Sequence, residues 1–182
     1  MNTLILVFHP KDPVSKVNKR LAEAAEENSD FIVRDMYELY PDHKIDVKKE
    51  QELLEDADRI VLQFPMYWYS SPSLLKQWED DVLAYGWAYG STGDKLHGKE
   101  LLIAISTGGA STNYAHDGSA HYTVTDLLRP LQATSDLIGT KYLEPFITGG
   151  ALTITEDILE ERAREYVAYL NKEHINTVGT YE

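Results

Sequence analysis

Five short, largely apolar runs alternate with stretches of helical periodicity along the chain, and this alternation constrains the fold more than any other feature. The runs are TLILVF (residues 3–8), FIVRDMY (31–37), RIVLQF (59–64), KELLIAIST (99–107) and KYLEPFIT (141–148). Runs without polar alternation suit strands covered on both faces, as in a parallel sheet. Between them, SKVNKRLAEAAEE (15–27) puts Val17, Leu21, Ala24 and Ala25 on one helical face, with Ser15 placed to cap it. DVKKEQELLEDA (46–57) starts from Asp46, a plausible cap, and SPSLLKQWEDDVLA (71–84) starts a helix near Pro72, where the missing amide costs nothing. TVTDLLRPLQATSDLIG (123–139) reads as a helix interrupted at Pro130 and ended by Gly139. TEDILEERAREYVAYLNKE (155–173) reads as an amphipathic helix with acids first and lysine last, the order the helix dipole favours.

Strands that alternate with helices pair in parallel through right-handed crossovers, which puts helices on both faces. The expectation is an α/β three-layer sandwich with a five-stranded parallel sheet in the flavodoxin-like order 2-1-3-4-5, the whole 182-residue chain forming one domain. In such a sheet a ligand sits beyond the carboxyl ends of the strands, where the winding reverses. The unusual segments of this sequence follow the first, third and fourth runs, as that placement requires.

With no cysteine, the chain has no disulfide framework, thiolate metal site or cysteine nucleophile, which fits a reducing compartment. The apolar run near the start is too short for a membrane span or a signal-peptide core, so a cytoplasmic location is expected. A formal net charge of -13 argues against nucleic acid or an anionic membrane surface as partner. An anionic ligand must therefore be held by local donors.

HPKDPVSKVN (9–18) runs from the first strand into a helix start, where free amides favour an anion and His9, Ser15, Lys16 and Asn18 add side chains. An ordinary serine cap would produce the same pattern. The segment is neither a Walker loop nor a G-x-G-x-x-G turn. FPMYWYSSPS (64–73) sets Tyr67, Trp68 and Tyr69 between two prolines. Irregular backbone from Met66 to Tyr69 needs acceptors, and the aromatic faces suit a conjugated ring; a flavin offers both, while Trp68 and Tyr69 could equally plug the core beneath the loop. STGGASTNYAHDGSAH (106–121) follows the fourth run. There Gly108 and Gly109 permit close approach or positive φ. Tyr114 and His121 can donate hydrogen bonds to developing negative charge, with His116 as a rival for the histidine role. The spacing of His116, Asp117 and His121 is not a helical metal signature, and no metal site is expected. GWAYG (86–90) suits a pocket wall, a dimer contact or a packed surface loop.

Together, HPKDPVSKVNKRL, FPMYWYSSPSLLKQWEDDVL, GWAYG, LHGKELL, STGG and LLRPLQAT resemble the flavodoxin-like NAD(P)H:quinone oxidoreductases, most closely the bacterial branch of general stress proteins and ancillary flavoproteins of Kef potassium efflux systems. The resemblance implies a bound FMN (FAD being possible), NAD(P)H as co-substrate, a homodimer with active sites at the interface, and two-electron reduction of quinones or related electrophiles. It assigns His9, Ser15, Val17 and Asn18 to the phosphate end. It assigns Pro65, Met66, Tyr67, Trp68 and Tyr69 to the ring loop, and Thr107, Gly108 and Gly109 to the opposite edge. Tyr114 and His121 become the catalytic pair, with His121 preferred to His116. Alternatives are a flavodoxin-like electron carrier, or a regulatory subunit docking on a membrane antiporter. A phosphatase or response-regulator reading lacks the cysteine or acidic cluster it needs.

Overall fold

The computed structural model describes residues 1–10 and 16–179. β1 (Thr3–Val7), β2 (Phe31–Asp35), β3 (Arg59–Pro65) and β4 (Glu100–Ser106) form a parallel sheet continued by β5 (Lys141–Tyr142), in the order β2-β1-β3-β4-β5. The fifth apolar run is not one strand. β5 pairs with the start of β4, and β6 (Phe146–Thr148) pairs with its end through Ala104↔Phe146 and Ser106↔Thr148. Pro145 lies between them and has no amide to give the ladder, which accounts for the interruption.

The period-2 alternation of the strands builds two cores. Ile5, Val7, Val61, Leu102 and Ala104 point to the face covered by α1 (Val17–Glu26) and α7 (Glu156–Leu170). Leu4, Leu6, Ile60, Leu62, Phe64, Ile103 and Ile105 point to the other face. That face is covered by α2 (Met36–Leu39), α3 (Val47–Asp56), α4 (Ser73–Val82), α5 (Val124–Leu127) and α6 (Arg129–Leu137). This is the expected three-layer arrangement.

Local chemistry sets the boundaries. Asp46 accepts from the Lys49 amide (3.1 Å) and caps α3, as its sequence suggests. The short α2 falls where the second run suggested continued strand; Asp35 turns the chain by accepting from the Glu38 amide (3.0 Å). The helix around Pro130 divides at Leu128, because proline is tolerated only in the first turn of the second piece, and Gly139 ends that piece at φ +73°. α7 stops at Leu170, so Lys172 lies past its end, over the Tyr169 ring at 4.7 Å. The cation at that helix terminus is Arg59 of β3, fully buried, which donates to the carbonyls of Leu170 (2.6 Å) and Lys172 (3.0 Å) and to Glu100 (2.7 Å).

Candidate functional site

The carboxyl ends of β1, β3 and β4 lie side by side, and hydrogen bonds join the segments that leave them. The Phe8 amide donates to the Gln63 carbonyl (2.8 Å), and the Met66 amide to the Ser106 carbonyl (2.8 Å). A buried polar chain runs beneath. The Tyr166 hydroxyl donates to Gln63 Oε1 (3.0 Å), Gln63 Nε2 to the Asn18 carbonyl (2.7 Å), and Asn18 Nδ2 to Ser106 Oγ (2.8 Å). This chain ties α7, β3, α1 and β4 at the level of the rim. Gln63 and Ser106 were not among the residues expected from sequence; a lone glutamine inside RIVLQF was the available signal.

The β3 connection is a two-residue hairpin. Tyr67 and Ser70 exchange both backbone hydrogen bonds (3.0 and 2.9 Å), and the central residues Trp68 and Tyr69 have φ of 49° and 60°. Positive φ at both central positions is the mark of a type I′ turn, which ordinarily takes Asn-Gly. Two bulky aromatics here hold strain on the order of 1 kcal/mol each. The turn does not plug the core: Trp68 is 94% exposed and Tyr69 56%. Of the amides from Met66 to Tyr69, the first two are used internally, while those of Trp68 and Tyr69 make no backbone hydrogen bond among the described residues. Replacing Trp68-Tyr69 by Asn-Gly is therefore expected to raise stability by about 1–3 kcal/mol, read as a higher urea midpoint. A lower midpoint would mean that the aromatics stabilise the turn.

The β4 connection faces it. Thr107 is fully buried and its groups are engaged: its amide donates to the Thr148 carbonyl (2.9 Å), its hydroxyl to the Gly109 carbonyl (3.0 Å), and its carbonyl accepts from Ala151 (2.9 Å). It braces the loop. Neither Gly108 nor Gly109 uses positive φ; close approach is the reason for glycine. A Cβ on Gly109 would meet Asn113 Nδ2 at 2.9 Å, and one on Gly108 would meet Leu152 Cδ1 at 3.2 Å. Their amides, like those of Trp68 and Tyr69, make no backbone hydrogen bond among the described residues.

Tyr114 lies against Gly109, its ring 3.7 Å from the position of that added Cβ. Burial, with a smaller contribution from the nearby Tyr69, raises the Tyr114 hydroxyl above its ordinary range and keeps it a donor at neutral pH. His121 is exposed, with φ 59°, its amide donating to Gly118 (3.1 Å). The rival His116 has its Nε2 3.8 Å from Asp126 Oδ2. No hydrogen bond joins either histidine to Tyr114 among the described residues.

On the first connection, His9 is half-buried. Val17 sends its side chain into the core, so only its backbone can face a ligand. Asn18 Oδ1 is buried without a hydrogen-bond partner among the described residues. Ser15 lies outside the described residues. Pro65 is the last residue of β3, paired with Ser106, and Met66 packs against the core beneath the turn. Among the described residues, the rim thus offers amides without a backbone hydrogen bond on two neighbouring loops, a buried unpartnered acceptor on Asn18, a glycine cradle and exposed aromatic faces. These suit a flat ligand with a polar edge and hydroxyl donors, and the residues present fit a flavin.

The chain matches the flavodoxin-like fold family over residues 1–170. It is 49% identical over 172 residues to general stress protein 14 of Bacillus subtilis (strain 168), covering 94% of this chain and 98% of that protein. It is 49% identical over 174 residues to an uncharacterized NAD(P)H oxidoreductase, YrkL, of the same organism (96% and 100% covered). It is 45% identical over 163 residues to the glutathione-regulated potassium-efflux system ancillary protein KefF of Salmonella typhimurium (90% and 92% covered). Among solved structures, general stress protein 14 of Treponema denticola in complex with FMN superposes with a TM-score of 0.88 at 40% identity, covering 94% of this chain and 98% of that one. An NADPH-quinone reductase from P. pentosaceus superposes at 0.84 with 33% identity (93% and 97% covered). A chain described as a thermophilic tryptophan halogenase from Streptomycin violaceusniger superposes at 0.91 with 48% identity (94% and 99% covered). On its sheet order and on these matches, the protein belongs to the flavodoxin-like fold family.

Proposed function

We propose that the protein is a flavin-dependent NAD(P)H:quinone oxidoreductase, acting as one domain per subunit and holding FMN at this rim. The observation that carries the reading is the pair of loops leaving the adjacent ends of β3 and β4, on which the amides of Trp68 and Tyr69 and of Gly108 and Gly109 make no backbone hydrogen bond among the described residues, beside exposed aromatic rings. The FMN complex of one structural relative and the oxidoreductase names of others support it. Of the neighbours named above one carries the halogenase description, whereas reductase names recur across relatives and structures.

Ser15, Val17 and Asn18, with His9, would hold the phosphate and ribityl end; the Asn18 Oδ1 atom suits a hydroxyl donor. Pro65 to Tyr69 would hold one edge of the ring, and Gly108 and Gly109 the other, with Thr107 bracing them. When bound, the flavin supplies two-electron chemistry between NAD(P)H and a quinone or related acceptor. Tyr114 would donate its hydroxyl hydrogen bond to negative charge gathered at the ring edge, in an environment that keeps that proton in place. His121, exposed at the mouth, would do the same or hand a proton to the departing product.

The test is the absorbance spectrum of the purified protein before and after anaerobic NADPH. A flavin spectrum that bleaches and returns with benzoquinone supports the reading; no bound flavin, or flavin that NADPH and NADH leave oxidised, overturns it. His121→Gln is expected to slow turnover about 10- to 100-fold with flavin content unchanged; an unaltered rate removes His121 from the mechanism.

A second reading follows from the potassium-efflux relative: the same reductase docks on a membrane antiporter. No described helix is long and apolar enough to cross a membrane, so attachment would be through a surface. Homodimer formation and a cytoplasmic location belong to the same proposal, and light scattering after size exclusion tests the first.

A further inference from the structure

A cavity of about 380 Å³ opens beside the rim, between α4 and the α5–α6 pair, with Phe64 and Ile105 of the sheet at its base. Sites for small ligands run from about 300 to 1,000 Å³. This one shares Met66 and Tyr69 with the candidate flavin loop, so a ring lodged in it reaches the same edge. Across from α4, Leu128 and Leu131 make its far wall apolar.

α4 brings three charged residues to the cavity, and they are not equivalent. Lys76 is ion-paired with Asp80 one turn on, and both are well exposed. Glu79 lies between them in sequence, half-buried, and its carboxyl makes no hydrogen bond among the described residues. From the other elements, the titratable groups lining the cavity are the phenols of Tyr69 and Tyr89; α5 and α6 contribute none. Burial pushes the Glu79 carboxyl up to about 7, Asp80 adding to the rise and Lys76 opposing it. Near neutral pH the group is thus substantially the acid form, which has a proton to donate and no partner among the described residues to receive it.

We infer that this cavity receives the apolar ring of an uncharged acceptor and that Glu79, as the carboxylic acid, donates a hydrogen bond to the acceptor's carbonyl oxygen, so selecting neutral acceptors over anionic ones. The inference rests on the reductase reading and names the substrate class of that site. The selection has two parts. A neutral carbonyl gains a hydrogen bond that only the acid form supplies. An anionic acceptor meets Asp80 and, above neutrality, ionised Glu79, with Lys76 already engaged. Glu79 is a specificity residue here; it is not required for electron transfer.

The experiment measures KM with NADPH for naphthoquinone and for naphthoquinone sulfonate, at about pH 6 and about pH 8.5, in the wild type, Glu79→Gln and Thr134→Trp. Thr134 lines the cavity from α6, so tryptophan there fills it from the wall opposite α4 while Glu79 itself is unchanged. In the wild type, KM for naphthoquinone is expected to rise about five-fold between the two pH values, the worth of one hydrogen bond, and KM for the sulfonate to be higher at both. Glu79→Gln keeps a donor and loses the charge, so its KM should stay flat with pH. Thr134→Trp should raise KM for naphthoquinone about ten-fold at both pH values, as expected when a pocket is lost. Equilibrium dialysis of naphthoquinone against the oxidised, flavin-loaded protein should give the same order of affinities. A wild-type KM indifferent to pH, or variants that bind and turn over both acceptors as the wild type does, would overturn the inference. Failure of the wild type to reduce any quinone defeats the reductase reading instead, and dialysis then still decides whether the cavity takes the ring.

Discussion

Replacing Glu100 with leucine is expected to cost the fold about 3–5 kcal/mol, because it strands a buried charge. Arg59 is fully buried at the first position of β3, and Glu100, its cross-strand neighbour on β4, is the carboxylate that balances it at 2.7 Å. Two carbonyls at the end of α7 accept from its Nη1 and Nη2, but they carry only partial charge. For a chain of this length the loss corresponds to a melting temperature lower by roughly 6–20 °C. Adding Arg59→Met should restore part of that stability by removing the stranded charge, although the α7 carbonyls then lose their donor. Urea denaturation of the wild type, the single variant and the double variant checks both points. A single variant within about 1 kcal/mol of the wild type would mean that water reaches Arg59.

Gly109→Val is expected to abolish flavin binding, weakening it at least about 100-fold, while leaving the sheet folded. A Cβ at this position already meets Asn113 at 2.9 Å and approaches the Tyr114 ring, so two further methyl groups must occupy the space in front of the loop. The measurement is FMN affinity by fluorescence titration, with circular dichroism confirming the fold. Valine at Gly98 is the control, because an added Cβ there meets nothing within 4 Å; its φ of +79° costs some stability but should leave FMN affinity unchanged. Equal affinity of the Gly109 variant and the wild type would remove the β4 loop from the site.

The sheet order was legible because apolar periodicity reports burial directly, and each central strand here is buried on both faces. The division of the last run into β5 and β6 was not, since a proline within eight residues reads as an edge feature until its partners on β4 are known. The helix of Met36 to Leu39 is too short for periodicity to detect and exists because Asp35 caps it. In the site, the segments were legible from their composition, but their geometry was not. Tyr67 to Ser70 carries no turn residue at its centre, so a tight turn with Trp68 and Tyr69 at positive φ contradicts local preference; it is closed by the Tyr67–Ser70 bridge between β3 and α4. Thr107 looked like a ligand-facing residue and instead spends its groups inside the loop, whereas Gln63 looked like a strand residue and proves to join α1 to α7. Glu79 was hidden in an ordinary acidic helix, because only the fold reveals which of the three charges at the cavity makes no ion pair among the described residues.

The most direct test of the central claim is to follow backbone amide resonances while flavin-free protein is titrated with FMN. The account predicts that the amides of Trp68, Tyr69, Gly108 and Gly109 shift together in a single equimolar transition, with Gly98 at the opposite end of the sheet unmoved. Shifts confined to one of the two loops, or centred elsewhere on the protein, would contradict it.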